Sequence, residues 1–210
     1  MMPTDSPIIF LATVVLISLS GVIMPGPVFA VTIAKGYEDL KAGIKIASGH
    51  AAVEFPLIAA IFLGLDTVFK DDLVFTAIGL LGGLLLFYMS KDMLFPPKKI
   101  TLGEKKSPAY GSFISGMITT AINPYFLLWW ATVGAALIIG AMQFGLLMLP
   151  IFAIVHVTCD FAWYQLVSTF TYKSKKLWNE KKHRYLFIFS GLIMLFFGIY
   201  FILSSIARIV

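Results

Sequence analysis

The chain has 210 residues, of which 59% are hydrophobic and 13% charged, with a formal net charge of +5. Soluble domains carry about 25% charged residues, and together with the strongly positive mean hydropathy this places the chain in a bilayer. One cysteine, Cys159, excludes an internal disulfide framework and any dithiol chemistry.

The charges are clustered, and they leave six apolar stretches at about 8–34, 44–65, 73–90, 111–138, 144–170 and 186–207. A helix needs about 20 residues to cross the hydrocarbon core, and a bilayer admits only helices or closed barrels. Long runs without alternation are helices, so the expectation is an all-α membrane protein with six transmembrane helices. Residues 1–7, MMPTDSP, lack the basic leader of a signal peptide, and the first span is expected to be permanent.

The first span contains MPGPVF at 24–29. Pro25 and Pro27 each lack an N–H and Gly26 tolerates unusual dihedrals, so the helix is expected to break here. The break frees carbonyls near Gly21 to Ile23. It also opens a half-helix at Val28 whose free N–H groups and positive dipole end suit a substrate carboxylate.

The second span carries GHAAVEFP at 49–56, with His50 and Glu54 four residues apart on one helix face. An ionised carboxylate near the bilayer centre costs about 2.5–3.5 kcal/mol on insertion scales. Glu54 lies about 13 Å beyond Lys45 at the helical rise, at a depth similar to that of the PGP break. The stretch KDMLFPPKKITLGEKKSPAYG, 91–111, then reads as a polar linker that divides the chain into residues 1–90, a linker over 91–110, and residues 111–210.

The second half repeats the first in kind. AINPYF at 121–126 interrupts its first span, where Asn123 adds an amide and Pro124 frees a carbonyl. VHVTCDF at 155–161 gives its second span His156 and Asp160, again four apart, and its third span is apolar with Gly191 and Gly198. Three spans per half force the second copy to enter from the opposite face. The expected fold is therefore two inverted-topology three-helix repeats with a broken first helix in each repeat, the pattern of a secondary transporter with its site at the repeat interface.

Fourteen of the sixteen basic residues fall in odd-numbered connections, which positive-inside bias assigns to the cytoplasm, with both termini outside. The positive charge thus reports membrane side rather than nucleic acid. Small residues four apart, Gly43 with Ala47 and Ala51, Ser112 with Gly116, and Gly79 with Gly83, permit close helix crossing within the bundle or in a homo-oligomer. Most tryptophans read as anchors or packing residues; Trp163 and Tyr164 beside Asp160 are the candidates for a pocket wall.

Together, PGPVFAVTIAKGYEDLKAGIKIASGHAAVEFPLIAAIFLGL, GGLLLFYMSKDML, FISGMITTAINPYFLLWWATVGAALI and HVTCDFAWYQLVS make a chain that resembles the lysine-exporter (LysE) family of translocators over nearly its whole length. The resemblance implies export of amino acids or related small metabolites across the cytoplasmic membrane of a prokaryote, driven by the proton motive force. On matching positions it implies a central site of Pro25, Gly26, Pro27, Asn123, Pro124 and Asp160. Better-studied members often have an aspartate in the second span, and Glu54 stands there in this chain.

The expected function is therefore a proton-coupled exporter with no cofactor, whose partners are its small-molecule substrate, protons and lipid. Val28 opens the carboxylate site, Glu54 and Asp160 take the substrate amine or the coupling proton, and His50 and His156 tune them. Two alternatives stand beside it. His50, Glu54, His156 and Asp160 also make an N2O2 set suited to a divalent metal as cargo. A membrane-embedded hydrolase would use the same acids and histidines, although Ser48 lies in no nucleophile motif and His-Glu-x-x-His spacing is absent. A purely structural scaffold accounts poorly for four ionisable groups at membrane depth.

Overall fold

The computed structural model describes residues 6–65, 71–95, 111–174 and 180–207, and every regular element among them is a helix. Most of the expected linker, Trp178 and several of the loop lysines lie outside the described residues.

Helix α1 (Pro7–Val22) and α2 (Pro27–Glu38) meet at a 76° bend. Gly26 is fully extended, with φ −154° and ψ −168°, and Pro27 begins α2 at a position whose N–H would be unpaired anyway. Of the carbonyls expected to be free, that of Gly21 is taken: Met24 N–H donates to it at 3.3 Å, tightening the last turn. α2 also runs past the expected end of the span. Lys35 sits in its last turn, buried at 7% exposure, where a cation complements the helix dipole.

The connection to α3 (Ala42–Ala60) is tied down from both sides. Asp39 accepts hydrogen bonds from Lys45 Nζ at 2.6 Å and from Lys41 N–H at 2.9 Å, and the Lys45 bond above all holds its carboxyl below the usual carboxylate range. Gln165 and Ser168 donate to the Leu40 carbonyl, and Gln165 Oε1 accepts from Ile44 N–H. α3 continues through a π-helical turn, Ile61–Leu65, which contains Gly64 at φ +112°. Helix α4 (Asp72–Leu94) starts at Asp71, whose carboxylate caps the amides of Leu73 and Val74.

In the second half, α5 (Ser112–Ala121) stops before Asn123. Asn123 Oδ1 accepts from Tyr125 N–H at 3.1 Å and so caps α6 (Pro124–Trp129), which continues through a π-helical turn, Trp130–Gly134, into α7 (Ala135–Met142). The break falls where Asn-Pro places it, and the piece beyond it extends to Met142 rather than 138. A turn with Gly145 at φ +92° follows, so α8 (Met148–Ser174) begins and ends about four residues later than hydropathy alone indicates. Helix α9 (Glu180–Ala207) completes the described chain.

By length and composition, three stretches among the described residues can cross a membrane: Ala42–Gly64, Tyr125–Met142 and Met148–Ser174. The bent pair α1–α2 makes a fourth if counted as one span. α3 packs on α5 and α8, while α1 and α2 both pack on α8. α4 pairs with α9 and touches α6. The contacts of α3 are close because glycine permits them. A Cβ on Gly43 would collide with the Tyr164 carbonyl, and one on Gly116 with the Ile46 carbonyl. These small-residue positions serve packing within the chain.

Candidate functional site

The two His-x-x-x-acid pairs come together across the α3–α8 contact. His50 and Glu54 project from α3, His156 and Asp160 from α8, and no side chain of the four is more than 7% exposed. The expected within-helix pairs are present, with His50 Nε2 3.3 Å from Glu54 Oε1 and His156 Nε2 3.8 Å from Asp160 Oδ2. The contacts between helices are as close. His156 Nε2 lies 3.1 Å from Glu54 Oε1, and His50 Nε2 lies 3.7 Å from Asp160 Oδ1. Two local pairs have become one four-membered cluster.

Three further side chains fix its orientation. Trp130 Nε1–H donates to Glu54 Oε1 at 3.1 Å. His50 Nδ1 meets Thr120 Oγ1 at 2.7 Å, and His156 Nδ1 meets Ser18 Oγ at 2.7 Å. Thr120 comes from α5 and Ser18 from α1, the helices that precede the Asn-Pro and PGP breaks. Each histidine is therefore held by a hydroxyl from the opposite half of the chain. Among the described residues, two buried oxygens, Glu54 Oε2 and Asp160 Oδ2, accept no hydrogen bond. A buried acceptor without a donor is costly.

The cluster opens onto a cavity of about 60 Å³, room for a few waters. Of the residues singled out from the sequence, Pro25, Gly26, Pro27, Val28, Asn123, His50, Glu54, His156 and Asp160 all line it. The Pro124 side chain lies outside the described residues. Asn123 spends its carbonyl oxygen on capping α6. Gly26, at the N-cap of α2, supplies no side-chain cap.

Aromatic residues form much of the remaining wall: Phe29, Tyr125, Phe126, Trp129, Trp130 and Tyr164. Trp129 stacks on His156 with ring centroids 5.3 Å apart, and its indole lies against Gly21. Trp130 is fully buried and lines the cavity. The Trp163–Tyr164 pair divides. Tyr164 faces the cavity, whereas Trp163 stacks on Phe29 at the edge of a separate apolar groove between α2 and α8.

Among the described residues, His50, Glu54 and Asp160 each offer a ligand atom within 4.8 Å of the others, and this set fits a cation. His156 stands outside it, so the four-ligand metal set expected from the sequence is not gathered. Its Nε2 is engaged with Glu54 Oε1, an oxygen that also accepts from Trp130.

The model of the family described as LysE type translocator matches residues 19–205, nearly the whole chain. The chain belongs to this family. No curated protein and no solved structure matches it. As a LysE type translocator the protein is an exporter of small molecules and not an enzyme, which removes the hydrolase reading of the buried acids and histidines.

Proposed function

We propose that this LysE type translocator exports amino acids or similar small amines by proton antiport, with substrate ammonium and proton competing for one set of buried acceptors. The observation that carries the reading is a pair of buried oxygens, Glu54 Oε2 and Asp160 Oδ2, without a hydrogen-bond partner among the described residues, on carboxylates whose other oxygens lie 3.3 and 3.7 Å from His50 Nε2. A primary ammonium brings three N–H donors and one positive charge, which answers both deficits. A proton answers the same deficits on one of the carboxylates or on His50. Occupancy by one then disfavours the other, and mutual exclusion is what antiport requires.

The substrate carboxylate docks at the uncapped first turn of α2, beside Pro27 and Val28, where the helix dipole favours an anion. Aromatic walls suit an organic solute better than a bare metal ion. A divalent metal remains the second reading, favoured by the His50–Glu54–Asp160 set.

The fold supports alternating access between two inverted three-helix repeats, residues 1–90 and 111–210 joined by a cytoplasmic linker, with both termini outside the cell membrane. In support, like meets like: α3 packs on α8, α4 on α9, and each of α3 and α8 on the first piece of the opposite broken span. The cavity is too small for an amino acid as it stands, so loading moves α2 or α6 away from the cluster.

Purified protein in proteoliposomes with an imposed pH gradient tests this, with flux recorded against panels of amino acids, simple amines and divalent metals. Cysteines introduced at 41 and 145 in a Cys159→Ser background report orientation in the same vesicles. The expected result is flux of one or more α-amino solutes, lost in Asp160→Asn, with 41 labelled from the cytoplasmic side and 145 from the other. Flux of metals alone overturns the substrate assignment, and labelling of both positions from one side overturns the topology.

A further inference from the structure

The two His-acid pairs look equivalent in the sequence, and their hydroxyl partners make them unlike. Thr120 Oγ1 lies 2.7 Å from the Gly116 carbonyl as well as 2.7 Å from His50 Nδ1. A hydroxyl has a single proton. Two oxygens 2.7 Å apart need a hydrogen between them, since otherwise their lone pairs oppose, so the Thr120 proton points at Gly116 O. The remaining contact is then a donation from His50, which places a proton on Nδ1. The neutral imidazole of His50 consequently presents a bare Nε2 to Glu54 and Asp160.

His156 has the reverse arrangement. Ser18 Oγ makes no other hydrogen bond among the described residues, so its proton is available to His156 Nδ1. His156 then carries its proton on Nε2, where it donates to Glu54 Oε1 at 3.1 Å. Trp130 donates to the same oxygen. Glu54 Oε1 is thereby satisfied, while the His50 Nε2 lone pair faces two carboxylates at 3.3 and 3.7 Å.

We propose that Thr120 and Ser18 hold the two histidines in opposite tautomers, so that His50 Nε2 is the base that takes up the coupling proton and His156 is a fixed donor to Glu54. Thr120 and Ser18 act as positioning residues, each from the half of the chain opposite to its histidine. A proton arriving from water bonds to the Nε2 lone pair of His50. The resulting imidazolium donates that N–H to Asp160 Oδ1 or Glu54 Oε1 and supplies beside the two carboxylates the positive charge that an ammonium would otherwise bring. The groups facing His50 are Glu54 from its own helix, Asp160, His156 and Tyr164 from α8, and Thr120 from α5, with Tyr125 on the shared cavity wall.

This inference rests on the proton-coupled reading, and its test does not depend on transport. The chain has three histidines, so nitrogen-15 NMR of histidine-labelled protein in detergent gives three ring systems, assigned by His50→Gln, His156→Gln and His183→Gln. At alkaline pH the His50 ring is expected to be protonated at Nδ1 and the His156 ring at Nε2. Thr120→Val removes the acceptor and is expected to move His50 towards the Nε2–H form; Thr120→Ser keeps the Nδ1–H form. In proteoliposomes Thr120→Val shifts the pH profile of transport towards acid, and Thr120→Ser returns it. Both histidines in one tautomer in the wild type, or a His50 signal unchanged by Thr120→Val, overturns the assignment. If Thr120→Val does not fold, the wild-type and Thr120→Ser spectra decide the matter. Opposite tautomers combined with flux that ignores the pH gradient overturns the coupling role of His50 and the reading beneath it, and leaves the positioning by Thr120 and Ser18 standing.

Discussion

At the scale of single residues, the site is a problem of buried acceptors finding donors. Glu54 is 1% exposed, and one of its oxygens accepts from Trp130 and His156. Trp130→Phe keeps an aromatic ring while deleting the indole donor. The expected cost is about 1.5–3 kcal/mol of stability, the worth of one hydrogen bond to a charged acceptor that keeps its His156 donor, read from denaturation in detergent. An unchanged midpoint would mean that Glu54 draws nothing from Trp130. The His50–Glu54 and His156–Asp160 pairs were legible in the sequence because i and i+4 share a helix face. Trp130, Thr120 and Ser18 were not, because each reaches its partner over 76, 70 and 138 residues respectively. A signal for two of them existed all the same. Ser18 and Thr120 are polar residues in apolar stretches shortly before the PGP and Asn-Pro breaks, at related places in the two halves.

At the scale of elements, helix positions follow from where the backbone ladder cannot continue and where two backbones can touch. PGP and Asn-Pro announce their breaks in the sequence because proline removes a donor. The ends at Met142 and Met148 are set by a turn with Gly145 at positive φ, and apolar residues on both sides of that turn conceal it from a hydropathy reading. The bend between α1 and α2 was legible as a break and not as an angle, since the angle depends on how both pieces rest on α8. Close packing is what places His50 and Glu54 opposite His156 and Asp160, and glycines permit it. Gly116→Ala drives a methyl into the Ile46 carbonyl and is expected to cost about 1–3 kcal/mol by separating α5 from α3. Gly111→Ala, with open space around its Cβ position, is expected to cost less than about 1 kcal/mol. Thermal unfolding of the two variants side by side distinguishes them, and equal losses would contradict the packing account.

At the scale of the molecule, low charge and long apolar stretches mark a helical membrane protein, and its motifs resemble those of the LysE type translocators, the family to which it belongs. Sequence offered the two distant pairs as one set at the repeat interface; what it could not supply was which atoms meet, because that depends on how α3 crosses α8. The whole fold places two carboxylates and two histidines on a cavity whose walls include both helix breaks. The most direct measurement is proton release on solute binding, recorded with a pH indicator in weakly buffered detergent solution of the purified protein. The account predicts that adding a transported α-amino solute releases protons, less so as pH rises and the sites are already empty, and that Asp160→Asn abolishes the release. Binding of that solute with no proton released at any pH would contradict it.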